Sequence, residues 1–311
     1  MKYNSKVIVI VGPTCSGKTH LAIKLAGILN TEIISADSRQ IYKQLNIGTA
    51  KPSGDEIIKV KHHFIDFLNP GEEYNVSQFE KDTEEVIEKL IAQKKTPIVV
   101  GGSGLYIKAL IDGIFETANK DEAYRKDLLE KRKEFGNEFL YEELKKVDPI
   151  SAEKMLPQNW KRVIRALEVF HLTGRTIWQH HENQSAAGGK ESKFNFLQFG
   201  LSWGRETLYK NINDRVDKMI KAGLIDEVKN ILSQGYNENF NALNTVGYKE
   251  IISYLKNEIT LDKAINLIKR NTRHYAKRQL TWFRKDKRIH WFDVKMFDDL
   301  EIISEKIFQS I

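Results

Sequence analysis

The sequence predicts an α/β fold: a parallel sheet wrapped by helices and interrupted once by a helical insertion. Short, unbroken apolar runs alternate with helical patterns over the first third of the chain, and the first run ends in a glycine-rich turn. The middle is charged and helical, without a strand-like run, until strand character returns near residue 196. Unbroken apolar runs, unlike alternating ones, mark strands covered on both faces, which is the environment of a parallel sheet.

Taken in order, Val7-Ile8-Val9-Ile10-Val11 is the first run, and the helix after it places Leu21, Leu25 and Ile28 on one face. Glu32-Ile33-Ile34-Ser35 reads as a second strand and His63-Phe64-Ile65-Asp66-Phe67 as a third. Ser77, with Glu80 three residues on, reads as a capping box for a helix whose Phe79, Val86, Leu90 and Ile91 face inward. Pro97-Ile98-Val99-Val100, ending in Gly101-Gly102, is a further buried strand. Residues 114–193 form the expected insertion domain, which ends in the polar stretch from Gln179 to Lys193; residues 1–113 and 194–311 form the expected core. Phe196-Leu197-Gln198-Phe199-Gly200-Leu201 and Ile289-His290-Trp291-Phe292 read as strands on either side of helices that run to about Phe283.

Composition narrows the function. A chain of 311 residues fits one large domain or two modest ones. No run approaches the roughly 20 apolar residues of a membrane helix, and the opening residues lack the pattern of a signal peptide. A single cysteine makes neither an internal disulfide nor a cysteine-based zinc site. A cytoplasmic monomer is expected. His62 and His63 are adjacent and diverge on a strand, so a structural role is expected of them rather than a shared metal site. The net charge of +7 is local: nine Lys and Arg residues between Lys269 and Phe292 face Asp286 alone, a +8 segment that marks a candidate polyanion surface.

Gly12-Pro13-Thr14-Cys15-Ser16-Gly17-Lys18-Thr19 matches the phosphate-binding pattern G-x-x-x-x-G-K-[ST], between an apolar strand and an amphipathic helix. The core is therefore expected to be P-loop NTPase-like. The glycines let backbone N–H groups curl round phosphate oxygens, and the helix N-terminus adds partial positive charge. Lys18 supplies an ammonium to the terminal phosphates, and the Thr19 hydroxyl is the expected Mg²⁺ ligand. The pattern leaves open whether ATP, GTP or a diphosphate ester fills the loop. Asp37 follows the second strand directly, at the carboxyl edge where such sheets bind substrates. By position it is a general base, a residue behind the metal's ligands, or a turn and cap residue.

GPTCSGKT, IISADSRQIYKQLNIGTAKPS, HHFID, VVGGSGLY, WKRVIRALEV, RVDKMIKAGLIDEV, TVGYKE and AKRQLTWFRK follow one another from Gly12 to Lys285. In this the chain resembles the tRNA dimethylallyltransferase family (isopentenyl-tRNA transferases) of the bacterial type. The resemblance implies transfer of a dimethylallyl group from dimethylallyl diphosphate to N6 of the adenosine 3′ of the anticodon, in tRNAs reading UNN codons, with release of diphosphate. It implies that Asp37 is the base, that Thr14 orients the reacting groups and that Arg215 bears on the diphosphate. It also implies that Asp37, Ser38, Arg39, Gln40, Ser103 and Arg125 help receive the tRNA anticodon stem-loop. The segments Lys161, Arg162, Val163, Ile164, Arg165 and Thr245, Val246, Gly247, Tyr248, Lys249, Glu250 are implied contacts too. The chain departs from the family pattern at Cys15, Ser103, Lys161 and Asn211; the last puts one phosphate contact in doubt.

The nucleic-acid side has its own signal. At helical spacing Arg270, Arg273, His274, Lys277, Thr281 and Arg284 form one basic stripe, with Arg278, Tyr275, Leu280, Trp282 and Phe283 close by. Without the resemblance, a kinase of small metabolites explains the first hundred residues equally well, and a nucleotide-gated RNA-binding protein explains the stripe but leaves Asp37 without work.

Overall fold

Parallel strands need crossover connections, and the chain supplies them as helices. The computed structural model describes residues 5–114, 121–186 and 192–311. In order, the elements begin β1 (Lys6–Val11), α1 (Lys18–Leu29), β2 (Ile33–Ser35), α2 (Gly54–Lys59), β3 (His62–His63), α3 (Val76–Ala92), β4 (Ile98–Gly101) and α4 (Gly104–Asp112). Next come α5 (Glu122–Val147), α6 (Pro149–Glu153), a short 3-10 turn at Pro157–Asn159, α7 (Trp160–Thr173) and α8 (Ile177–Ala186). The chain then returns through β5 (Asn195–Trp203), α9 (Arg205–Lys221), α10 (Leu224–Ser233), α11 (Tyr248–Leu255), α12 (Leu261–Phe283), β6 (His290–Val294) and α13 (Asp299–Gln309).

The six strands are hydrogen-bonded in the order β3-β2-β4-β1-β5-β6, and every pair is parallel. From β1 the chain first builds one side of the sheet and later adds β5 and β6 on the other. The carboxyl end of β1 is thus the switch point at which open α/β sheets bind ligands. Alternate residues of β1 feed two cores: Ile8 and Ile10 pack with α1 and α13, and Val7, Val9 and Val11 with α3 and α4. Helices α9 to α12 enclose a third core together with Ile41, Tyr42 and Leu45.

The chain forms two compact units, one of residues Met1–Ile111 with Ser192–Ile311 and one of Asp112–Glu191. The second is helical, with α5 broken at Gly136 (φ 88) and packed on α7 through Leu140, Leu144, Val163 and Ile164. Residues 187–191 of the polar stretch lie outside the described residues, as do residues 1–4 and 115–120. Among the described residues no helix is long and apolar enough to cross a membrane.

Several local expectations are corrected. The third strand holds only His62 and His63, because Phe64 and Asp66 adopt positive φ (61 and 59) and turn the chain away from the sheet. The third helix is capped by Asn75, whose side chain accepts from the Ser77 and Gln78 N–H groups while Gln78 completes the capping box; Ser77 and Glu80 lie inside it. Ile28 is exposed, since α1 buries Leu21, Ala22, Leu25 and Ala26 instead.

Candidate active site

The glycine-rich loop leaves β1 and re-enters as α1, and its backbone explains its composition. Gly17 (φ 85) and Cys15 (φ 63) are left-handed, and Gly17 caps α1 without a side-chain hydrogen bond. No side-chain cap therefore competes for the first N–H groups of α1, an arrangement suited to an anion. Gly17 is also confined by packing: a Cβ there would lie 2.6 Å from Leu300 of α13. On the far side, Trp203 Nε1 donates to the Ser16 carbonyl at 3.0 Å.

Two cations converge on the loop. Lys18 Nζ donates to the Pro13 carbonyl at 2.6 Å. Burial, with Arg215 nearby, pushes the Lys18 ammonium down to about 8, although Asp37 and Cys15 act in the opposite direction. Arg215, from α9, donates Nη1 to Thr14 Oγ1 at 3.3 Å and lies 3.6 Å from Cys15 Sγ. A third tie was absent from the sequence reading. Gln279 of α12 accepts from the Thr14 N–H at 2.8 Å and donates to the Gly102 carbonyl at 3.0 Å. The available signal was a neutral polar residue on the apolar face of α12, in line with Ala264, Ile268, Ala276 and Phe283.

Two cavities meet at this loop. One, of about 540 Å³, is lined by Thr14 to Thr19 of the loop together with Asp37, Gln40, Asn211, Lys218 and Phe297. The other, of about 340 Å³, is lined by Ser38, Arg39, Thr245, Val246, Gly247, Lys249 and Arg278 among others. Five residues line both: Thr14, Asp37, Thr49, Arg215 and Tyr275. Asp37 holds its own turn, with Oδ1 accepting from the Arg39 and Gln40 N–H groups (2.8 and 3.3 Å), and it lines both cavities. Asn211 lines the first cavity with Nδ2 buried and without a protein partner, as is Ser16 Oγ.

The donors present suit a small hard cation. The loop offers the Ser16 and Thr19 hydroxyls, and no cluster of three or more His, Cys, Asp or Glu residues fit to hold a metal occurs among the described residues. Hydroxyls completed by phosphate oxygens are oxygen ligands of the kind Mg²⁺ takes. The two histidines diverge: His62 Nδ1 donates to the Val60 carbonyl at 2.7 Å and His63 Nε2 meets Glu32 at 2.7 Å.

Other expected contact residues serve the fold. Arg39 is held on Asn241, Gln40 donates to the Thr49 and Ala50 carbonyls, and Ser103 Oγ accepts from the Ser38 N–H at 3.0 Å. Tyr248 is fully buried and donates to Glu227 at 2.6 Å, and the buried Glu250 caps the Gly247 N–H and accepts from Asn271. Within the insertion unit Val163 and Ile164 are core residues, and Arg125 donates to both carboxylate oxygens of the buried Glu168, with Arg165 3.7 Å from it. Each of these side chains thus has a structural partner or a place in the core, while Arg39 and Gln40 also line the cavities. Lys161 and Arg162 stay exposed, as do Arg270, His274, Lys277, Arg278, Thr281 and Arg284 on α12. Arg273 leaves the stripe to donate to Asn213 at 2.8 Å, and Phe283 is core rather than surface.

Residues 40–286 match the family model of IPP transferase. The chain is 48% identical over 307 residues to a tRNA dimethylallyltransferase of Carboxydothermus hydrogenoformans, covering 98% of this chain and 96% of that protein. It is 46% identical over 303 residues to one of Halothermothrix orenii, covering 97% and 92%. Among solved structures it is similar to the tRNA isopentenylpyrophosphate transferase of Bacillus halodurans, with a TM-score of 0.72, 38% identity and coverage of 98% and 96%. It is also similar to a eukaryotic dimethylallyltransferase described as acting on tRNA, with a TM-score of 0.81, 29% identity and coverage of 98% of this chain and 77% of that one.

Proposed function

Since this chain belongs to the IPP transferase family and transfers a dimethylallyl group to tRNA, we propose that its donor is dimethylallyl diphosphate and its acceptor N6 of the adenosine 3′ of the anticodon. The observation that carries the reading is the meeting of the two cavities at Thr14, Asp37 and Arg215. The larger cavity takes the diphosphate, against the loop amides, Lys18 and Arg215. The smaller takes the adenine, which leaves its stack to reach the site.

Adenine N6 is a weak nucleophile because its lone pair is delocalised into the ring. The site answers from both ends. As the C1–O bond of the donor breaks, its electron pair leaves with the diphosphate, where Lys18, Arg215 and the α1 N-terminus stabilise the developing charge. The N6–C1 bond forms from the other side, and the N6 proton passes to the Asp37 carboxylate, which its own turn holds in place. Arg215 fixes the Thr14 hydroxyl between the two reactants. When bound at Thr19 and Ser16, Mg²⁺ supplies further positive charge to the leaving diphosphate. The exposed stripe of α12 binds the tRNA through its phosphates, and the insertion unit by itself offers Lys161 and Arg162 as a further basic contact. All these groups come from one chain, so a monomer suffices.

The test is to incubate the protein with Mg²⁺, dimethylallyl diphosphate and unmodified tRNA, and then to digest the RNA for mass spectrometry. A prenylated adenosine is expected next to the anticodon of tRNAs reading UNN codons. Absence of that product, or prenylation at another position, refutes the reading.

A further inference from the structure

We infer that Gln279 is a positioning residue for the transfer reaction, holding the glycine-rich loop and the end of β4 in register from the helix that carries the basic stripe. The inference rests on the reading of the site above.

The geometry is specific. Gln279 is 7% exposed, and its amide has one acceptor and one donor bond, each to a loop at the carboxyl edge of the sheet. The bond to the Thr14 N–H fixes the backbone of the residue whose hydroxyl Arg215 also engages, so Thr14 is held at two points. The bond to the Gly102 carbonyl passes through a fit so close that a Cβ on Gly102 would lie 2.1 Å from Gln279 Nε2. One turn on, Trp282 lies over Gly104, where a Cβ would come within 2.3 Å of its ring, so the register of α12 against this edge is fixed twice. The opposite face of the same helix presents Lys277, Thr281 and Arg284 to solvent. One rigid element thus carries both the RNA surface and the strut that places Thr14.

Two variants test this. Gln279→Met keeps the length and removes both hydrogen bonds; Gln279→Asn keeps the polarity but is one methylene too short to span both loops. In each, single-turnover prenyl transfer at saturating substrates is expected to fall on the order of 100-fold, with tRNA affinity within about 2-fold of wild type. Cys15 is the chain's only cysteine and adjoins Thr14, so its reaction with a chromogenic disulfide reads the loop without any substrate. Losing one hydrogen bond at Thr14 is expected to speed that reaction about 5- to 10-fold. Wild-type transfer rate and wild-type Cys15 reactivity in either folded variant overturn the inference. So does a rate loss matched by an equal loss of tRNA affinity, which would make Gln279 part of the RNA surface. Lack of transfer by the wild-type protein would refute the reading of the site instead, and the Cys15 measurement would still decide whether Gln279 holds the loop.

Discussion

Lys18 gives the sharpest test of the site, because its environment in the free protein opposes its charge. Buried and close to Arg215, its ammonium is pushed down to about 8 from an ordinary 10.5. A bound diphosphate places negative oxygens beside it and raises the value back toward the ordinary 10.5. The sign follows: the complex holds the proton more tightly than the free protein, so binding is strongest below pH 8 and weakens as pH rises through 8. With 8 and 10.5 as the free and bound values, linkage makes affinity for dimethylallyl diphosphate fall about 25-fold between pH 7 and pH 9.5. Calorimetric titration without tRNA measures this, since no turnover occurs and the ligand, with its last ionisation near ~6, keeps constant charge in that range. Lys18→Arg is expected to bind with little dependence on pH, because a guanidinium stays charged throughout. Cys15→Ser, which removes the loop's thiol, is expected to keep the slope. A change of less than about 3-fold in the wild-type protein, or an undiminished slope in Lys18→Arg, would refute the assignment of Lys18 to the diphosphate.

Three further outcomes are expected. Asp37→Asn should retain tRNA affinity and lose on the order of 10² to 10⁴ in single-turnover rate; a wild-type rate would remove Asp37 as the base. Lys277→Ala combined with Arg284→Ala should weaken tRNA binding and flatten the plot of log affinity against log salt by about 1.4 to 1.8, whereas an unchanged slope would move the RNA surface elsewhere. Glu32 concerns stability alone: burial would raise its carboxyl, but hydrogen bonds from Lys95, His63 and Lys61 hold it down to about 2. Its contribution is therefore complete above an ordinary 4.5 and is lost as pH falls toward 2. Glu32→Gln should melt below wild type at pH 6, with a gap that narrows between pH 4.5 and 3; a constant gap would mean that the ion cluster is not its cause.

What the sequence determined by itself were the features written in consecutive residues. The run Val7 to Val11, the loop from Gly12 to Thr19 and the position of Asp37 after a strand each follow from local chemistry, and together they specify a parallel sheet with a glycine-rich loop of the phosphate-binding pattern at its edge. The stripe of α12 was legible for the same reason, since helical spacing alone lines up Arg270, Lys277 and Arg284. Tertiary structure decided which of many plausible side chains are free to act. Tyr248, Val163 and Ile164 stand in segments that resemble RNA contacts, yet their side chains are buried in the core, and Arg125 pairs with the buried Glu168. It alone revealed that Gln279 grips Thr14 and Gly102, which lie 265 and 177 residues away along the chain. Spacing encodes which face of a helix a residue occupies; what that face meets depends on how distant elements pack, and a single sequence carries no direct record of it.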